Sequence, residues 1–483
     1  MTKQNKLARN FAYNTLYQVL VLIAPLITTP YISRVLGVTG IGIYSYAQSI
    51  AMYFVLLGAV GTTLYGQREI ACVQDDPVKR TRVFWQITIF RAITTIGFSV
   101  IYYVIFAMRG EYSVIYQILM LEVLATAFDV SWFFMGLENF KLTVIRNSII
   151  KVCGIVLVFV FVKTPEDVPL YTWCLTLPIL IGNISLWFNL KKYLVRLKES
   201  VFCGMTKHIK PILILFVPQV ASEVYLVLDK TMLGLLSSNI DQVGFYTQAQ
   251  KIVKIVLMLV TSLGTVMLPA MSAAFVKGKK DEIEQSIKKS FQFIFLLAFA
   301  LFFGLLAVAP RFVPLFFGPG YDEVVPLMVM SAPLLIVIGI SNVIGKQFLL
   351  PTKQQKSYTL SIVAGAGVNF VLNLILIYFA DAIGATIATV MAEIAVTVVQ
   401  VWCVRKQLPL KECFRPSIRY FFLGMGMFVP VYLLGKVLPQ GVLSLGIMIV
   451  AGAMFFLVEL LISKDPMLDM AVRIIKKKTK NKQ

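Results

Sequence analysis

The chain has 483 residues, 58% of them hydrophobic and only 14% charged, with a net charge of +21, one histidine and six cysteines. A mean hydropathy of +0.81 excludes a soluble globular domain, which could not bury so much apolar surface. The expected fold class is an all-α membrane protein.

Crossing about 30 Å of hydrocarbon at about 1.5 Å per residue takes an apolar run of about 20 residues. In chain order such runs fall at 11–33, 42–65, 83–108, 112–136, 143–162, 170–190, 211–235, 243–270, 289–309, 323–348, 358–379, 383–404, 417–436 and 441–462, predicting fourteen spans. The first carries Asn14, Gln18, Pro25 and Pro30 and no small-residue cleavage pattern, so it is expected to stay in the membrane. Pro25 and Pro30 are expected to interrupt span 1, and Pro218 to interrupt span 7. Such breaks read either as hinges lining a pathway or as packing kinks.

The second half repeats the first. Gly42, Tyr44, Ala47, Gln48 and Ile50 recur as Gly244, Tyr246, Ala249, Gln250 and Ile252, at a constant offset of 202, and Leu36-Gly37 recurs as Leu233-Gly234. A long-period repeat in an apolar chain points to a transporter built of two related halves. Because each repeat holds six spans, the copies enter the membrane in the same direction. The expected organisation is an N-lobe at 1–190 (spans 1–6), a basic cytoplasmic linker at 191–210, a C-lobe at 211–406 (spans 7–12), two further spans at 407–462 and a basic tail at 463–483.

Charge sets the orientation. The side bearing the N-terminus holds 35 Lys and Arg in its tails and loops, with Arg146 counted there at the edge of span 5, against five on the other side. That bias predicts cytoplasmic termini. It also ties the pI near 9.6 to a membrane face rather than to nucleic acid, with the terminal KKKTKNK run a candidate for anionic lipid headgroups or a plain topology signal.

Several chemistries are missing. The cysteines form no CxxC pair, so neither a metal site nor a disulfide framework is indicated. No phosphate-gripping GxxxxGK[ST] run occurs, the outer loops are short, and no catalytic carboxylate motif is present, so the chain is not expected to be an enzyme. Asp75-Asp76 before Pro77 reads as a turn capping span 3. His208, the single histidine, falls in the linker, which excludes a histidine relay inside the membrane.

Charges inside spans are functional candidates, because each costs several kcal/mol at membrane depth unless it meets a partner or water. Arg91 and Asp129 lie at similar depths on consecutive spans and are placed to form an ion pair, either a lock or a working contact. Span 7 carries Glu223, Asp229 and Lys230, and span 8 carries Lys251 and Lys254 at i,i+3. Lys251 and Lys254, with Arg91 and Lys230, are candidates for a cationic cavity suited to a diphosphate; the two span 8 lysines could instead snorkel outward. Glu122, Glu223 and Glu393, with Asp129, are candidates for binding a coupling proton or sodium ion, or are satisfied structural carboxylates.

The runs TPYISRVLGVTGIGIYSYAQSI from Thr29, YFVLLGAVGTTLYGQREIA from Tyr53, LDKTMLG with VGFYTQAQKI, and LFFGPGYDE from Leu315 resemble the polysaccharide transporter family. That family includes the Wzx-type flippases and lies in the multidrug/oligosaccharidyl-lipid/polysaccharide exporter superfamily. The resemblance covers the whole chain in order. It implies a V-shaped bundle of two six-helix lobes plus two helices, in the bacterial cytoplasmic membrane. It further implies alternating-access transfer of an undecaprenyl-diphosphate-linked oligosaccharide for O-antigen, capsule or other surface polysaccharide, coupled to a proton or sodium gradient and using no cofactor. Membrane lipids and a polysaccharide polymerase are the implied partners, and the chain is expected to be a monomer. The family positions carried here are Arg34, Gly37, Gly42, Tyr44, Gly66, Arg68, Glu69, Asp229, Gly244 and Tyr246, most of them structural. Arg34 and Asp229, at nearly equivalent outer positions, are the candidate gate. A cation-coupled drug or metabolite antiporter of the same superfamily is the alternative.

Overall fold

The computed structural model describes residues 3–198, 200–202 and 204–468. Cys203, the KKKTKNK run and the side chain of Pro218 lie outside the described residues. Among the described residues the chain is helical throughout, without strands, and eleven helical segments are long and apolar enough to cross a membrane. It is a multi-pass membrane protein. Broad apolar faces left on the surface, such as Ile149, Val152, Val156 and Val160 along one helix, are stable against hydrocarbon and would be a liability in water.

The helices are α1 (Lys3–Ala59), α2 (Thr62–Cys72), α3 (Pro77–Tyr102), α4 (Ser113–Phe128), α5 (Ser131–Gly136), α6 (Phe140–Phe161), α7 (Val168–Leu190), α8 (Ile209–Leu236), α9 (Asp241–Val276), α10 (Lys280–Phe317), α11 (Val324–Ser331), α12 (Leu334–Ser341), α13 (Gln355–Val404), α14 (Leu410–Val437) and α15 (Val442–Ile462). Two compact units result, Met1–Gly244 and Phe245–Gln483, so α8 groups with the first unit.

Proline does not break α1 as expected. The helix runs through Pro25 and Pro30, and the backbone departs from helical geometry at Gly37 instead (φ 68°, ψ −179°). Neighbouring hydroxyls take up helix carbonyls, Thr28 Oγ1 donating to Ala24 O at 3.0 Å and Ser33 Oγ to Thr29 O at 2.7 Å. Membrane helices tolerate proline, whereas the positive φ at Gly37 needs a residue without Cβ. A second long helix, α13, breaks at Ala380-Asp381. Span 4 also divides, into α4 and α5, because Asp129 leaves the helix (φ −76°, ψ 103°) and accepts a hydrogen bond from Ser131 N–H at 3.0 Å.

The cap expected at Asp75-Asp76 is present. Asp76 accepts from the backbone N–H of Val78 (3.1 Å) and Lys79 (3.0 Å), with Pro77 in the first helical turn of α3. Those bonds, the one from Lys79 first, hold its carboxyl below the usual carboxylate range.

In the first unit, Phe84, Trp132, Phe133 and Phe134 are fully buried and pack with Tyr65 and Ile70. Gly66 faces the Trp132 ring so closely that a Cβ there would lie 2.4 Å from it. In the second unit, Phe291, Phe295, Phe299 and Phe303 recur every four residues along α10, one helical face, and form a core with α14 and α15.

The repeat is visible as a reciprocal contact within the first unit. A Cβ on Gly42 would lie 2.3 Å from the carbonyl oxygen of Ile240, and one on Gly244 would lie 2.3 Å from that of Val38. Val38 and Ile240 are themselves repeat mates, and Thr39 Oγ1 donates to Asp241 Oδ1, again 202 residues away, at 2.6 Å. The backbones at 38–42 and 240–244 therefore cross closely, which explains glycine at both positions.

Candidate functional site

Arg91 on α3 is 3% exposed. Taking a guanidinium out of water costs several kcal/mol, so its donors must be satisfied. Nε donates to Thr126 O at 2.7 Å, Nη1 to Thr63 Oγ1 at 3.2 Å and Thr62 Oγ1 at 3.4 Å, and Nη2 to Asp129 Oδ2 at 3.3 Å. The ion pair anticipated from depth alone is formed.

Asp129 holds a second arginine. Arg146 on α6 reaches its Oδ1 at 3.5 Å and donates from Nη1 to Asn183 Oδ1 on α7 at 2.5 Å, while Asn183 Nδ2 donates to Ala125 O at 2.8 Å. The break after α4 makes this possible, since it turns one Asp129 oxygen to Arg91 and the other to Arg146 and Ser131 N–H. Close packing of α6 on α7 needs Gly182, where a Cβ would lie 2.2 Å from Ile150.

This cluster lines a cavity of about 430 Å³ in the first unit. Glu122 on α4, seven residues before Asp129, also lines it, and α8 contributes Gln219 and Glu223. Asn147 and Thr126 add polar wall, and Met52, Leu56, Ile179 and Val227 apolar wall. The cavity thus faces two guanidinium groups and three carboxyl groups. Arg146 Nε and Gln219 Oε1 are covered and have no hydrogen-bond partner among the described residues.

Residues 7–275, more than half of the chain, match the family described as Polysaccharide biosynthesis protein. The chain belongs to that family. A protein of Escherichia coli (strain K12) named "Putative O-antigen transporter" is 25% identical over 409 residues, covering 84% of this chain and 98% of that protein. Among solved structures, the lipid II flippase MurJ in an inward closed conformation matches with a TM-score of 0.75 at 15% identity, covering 93% of this chain and 99% of that one. An inward-facing multidrug resistance MATE family transporter of the MOP superfamily matches at 0.59 with 11% identity, covering 80% and 98%. These relatives are transporters and flippases, not enzymes, and the all-helical fold is that of MurJ and MATE proteins.

In this member of the polysaccharide biosynthesis family, four of the anticipated site residues meet in one cavity: Arg91, Glu122, Asp129 and Glu223. Asp229, 8% exposed, and half-buried Lys230 lie further along α8. Arg34 is exposed on α1, with Nη1 donating to Pro30 O at 3.0 Å. Lys251, half-buried, and Lys254, exposed, lie on α9, and Glu393, half-buried, on α13, all in the second unit.

One correction follows from burial. Arg146, counted with the cytoplasmic loops, has a side chain only 12% exposed and pairs with Asp129. Its place three residues inside the drawn span was the signal available. His208, in the 191–210 segment, is 3% exposed, its ring bonded to Tyr65 Oη at 2.6 Å and Gln86 Oε1 at 2.8 Å. Burial holds its pKa below the ordinary value, aided by Lys207 and opposed by Glu69.

Proposed function

We propose that the chain is a flippase carrying an undecaprenyl-diphosphate-linked oligosaccharide across the bacterial cytoplasmic membrane by alternating access, for O-antigen, capsule or other surface polysaccharide. The observation that carries this reading is the polar cavity around Arg91, Asp129 and Arg146 inside an apolar bundle, where buried charge is costly to keep without a polar cargo. The family match and the names of the relatives support it.

On this reading the repeat defines two six-span lobes, 1–190 and 211–406, joined by the 191–210 linker, with 407–462 appended, both termini in the cytoplasm and the 463–483 tail on lipid headgroups. Two doubled segments, α1 and α13, together with α8, bring the crossings to fourteen. Lys230, Lys251 and Lys254 receive the diphosphate, Arg34 and Asp229 close the outer side, and Glu122, Glu223, Asp129 or Glu393 carries a proton or sodium ion. The protein acts as a monomer beside a polysaccharide polymerase.

The test is to delete the gene in its host and follow lipid-linked glycan by lectin accessibility in spheroplasts and inverted vesicles. Glycan trapped on the inner face, released by the restored gene, is expected. Unchanged outer-face glycan in the deletion defeats the proposal. Lys254→Ala and Lys254→Glu are expected to lose surface polysaccharide while still inserting, and wild-type polysaccharide in both would show the lysine dispensable.

The excess of carboxyl groups over guanidinium groups in the cavity favours one second reading, a cation-coupled drug or metabolite antiporter on the same fold. Uptake of a cationic dye into energised inverted vesicles, with no glycan phenotype, would select it.

A further inference from the structure

We propose that the cavity of the first unit is a carbohydrate subsite, which takes sugar residues of the cargo by their hydroxyl and amide groups and does not hold the diphosphate. The inference rests on the flippase reading and names which part of the cargo this cavity meets.

Charge argues first. A phosphate is bound where cationic donors are free to point at it, typically a bidentate guanidinium. Here the donors of Arg91 go to Thr126 O, Thr62, Thr63 and Asp129, and the Nη atoms of Arg146 go to Asp129 and Asn183. Two guanidinium groups face three carboxyl groups, so no positive charge is in excess.

Hydrogen-bond polarity argues more sharply. Ionised phosphate oxygens only accept. Part of the polar wall they would meet is carboxyl, from Glu122, Asp129 and Glu223. A sugar hydroxyl both donates and accepts. It can give its proton to a carboxyl oxygen, while the Asn147 and Gln219 amides offer both roles. The volume of about 430 Å³ lies within the range of about 300–1,000 Å³ usual for small-molecule sites. Apolar wall from Leu56, Ile179 and Val227 suits the C–H face of a pyranose ring.

The test uses the full chain in proteoliposomes, with its six native cysteines replaced by alanine and one new cysteine introduced by Asn147→Cys or, separately, Gln219→Cys. Maleimide labelling is timed with four probes: the lipid-linked oligosaccharide of the producing cell, the same oligosaccharide released by mild acid, undecaprenyl diphosphate, and sodium pyrophosphate. At least tenfold slower labelling is expected with the first two and none with the last two. Protection by pyrophosphate or undecaprenyl diphosphate without protection by released oligosaccharide overturns the subsite and leaves the flippase reading standing. Lack of protection by every probe in vesicles that still transport overturns it as well. If the unaltered chain moves no lipid-linked oligosaccharide, the flippase reading itself fails.

Discussion

Asp129→Asn isolates the electrostatic hold on the buried arginines. Asn has nearly the same shape and can still accept the Ser131 N–H bond that starts α5, so the change removes charge and little else. Breaking a buried ion pair from one side costs about 3–5 kcal/mol, because the remaining charge is left uncompensated. Here two guanidiniums are left, one with a side chain 4% exposed and one 12%, while Asp129 itself is 21% exposed. Partial exposure puts the expectation at the lower end, about 3 kcal/mol, or roughly a hundredfold in the unfolding equilibrium at about 1.4 kcal/mol per decade. The assay is reversible unfolding by sodium dodecyl sulfate in mixed micelles, read by tryptophan fluorescence. A triple variant, Arg91→Met with Asp129→Asn and Arg146→Met, removes the uncompensated charge and is expected to recover most of the loss while abolishing glycan transfer. An Asp129→Asn chain as stable as the unaltered one would refute the reasoning, since the arginines would then be sufficiently hydrated to stand alone.

Three further outcomes are expected. Gly42→Ala places a methyl against the Ile240 carbonyl and should cost about 1–3 kcal/mol as overpacking against backbone, whereas Gly97→Ala, with open space around it, should be tolerated; equal losses would discount the close crossing. Asn183→Ala should cost about 1–3 kcal/mol by orphaning the Ala125 carbonyl and one Arg146 donor, and mixed-micelle unfolding would measure it. His208 is held neutral by burial, so its folded pKa lies below its unfolded one. Its contribution is full above about pH 6.5 and is lost as pH falls from there toward the folded value. Melts between pH 7.5 and 5 should show that loss and His208→Gln should flatten it; identical profiles would remove the histidine from the account.

What the sequence made legible followed from long-range regularities. Apolar runs gave the spans, because hydrocarbon thickness fixes their length, and the offset of 202 gave the repeat. The Asp76 cap was legible because its bonds are local. What stayed hidden depended on tertiary placement. Arg146 and His208 sit at the edges of apolar runs, where hydropathy cannot say whether a side chain turns to water or to a buried partner. Pro25 and Pro30 looked like breaks because proline lacks a donor, yet the deciding feature was the backbone sign at Gly37. The break at Asp129 was invisible inside an uninterrupted apolar run, and it is what lets one carboxylate serve two arginines.

Charge departs from the repeat template mainly in spans 7 and 8, which directed attention to Lys251 and Lys254. Yet α8, carrying Glu223, groups with the first unit and lines the same cavity as Arg91 and Asp129. The second copy of the repeat supplies an amide and a carboxyl, Gln219 and Glu223, to a cavity whose cations come from the first. That combination is what makes the cavity mixed in hydrogen-bond polarity rather than cationic, and a cation-lined phosphate site would have needed a donor where Glu223 stands.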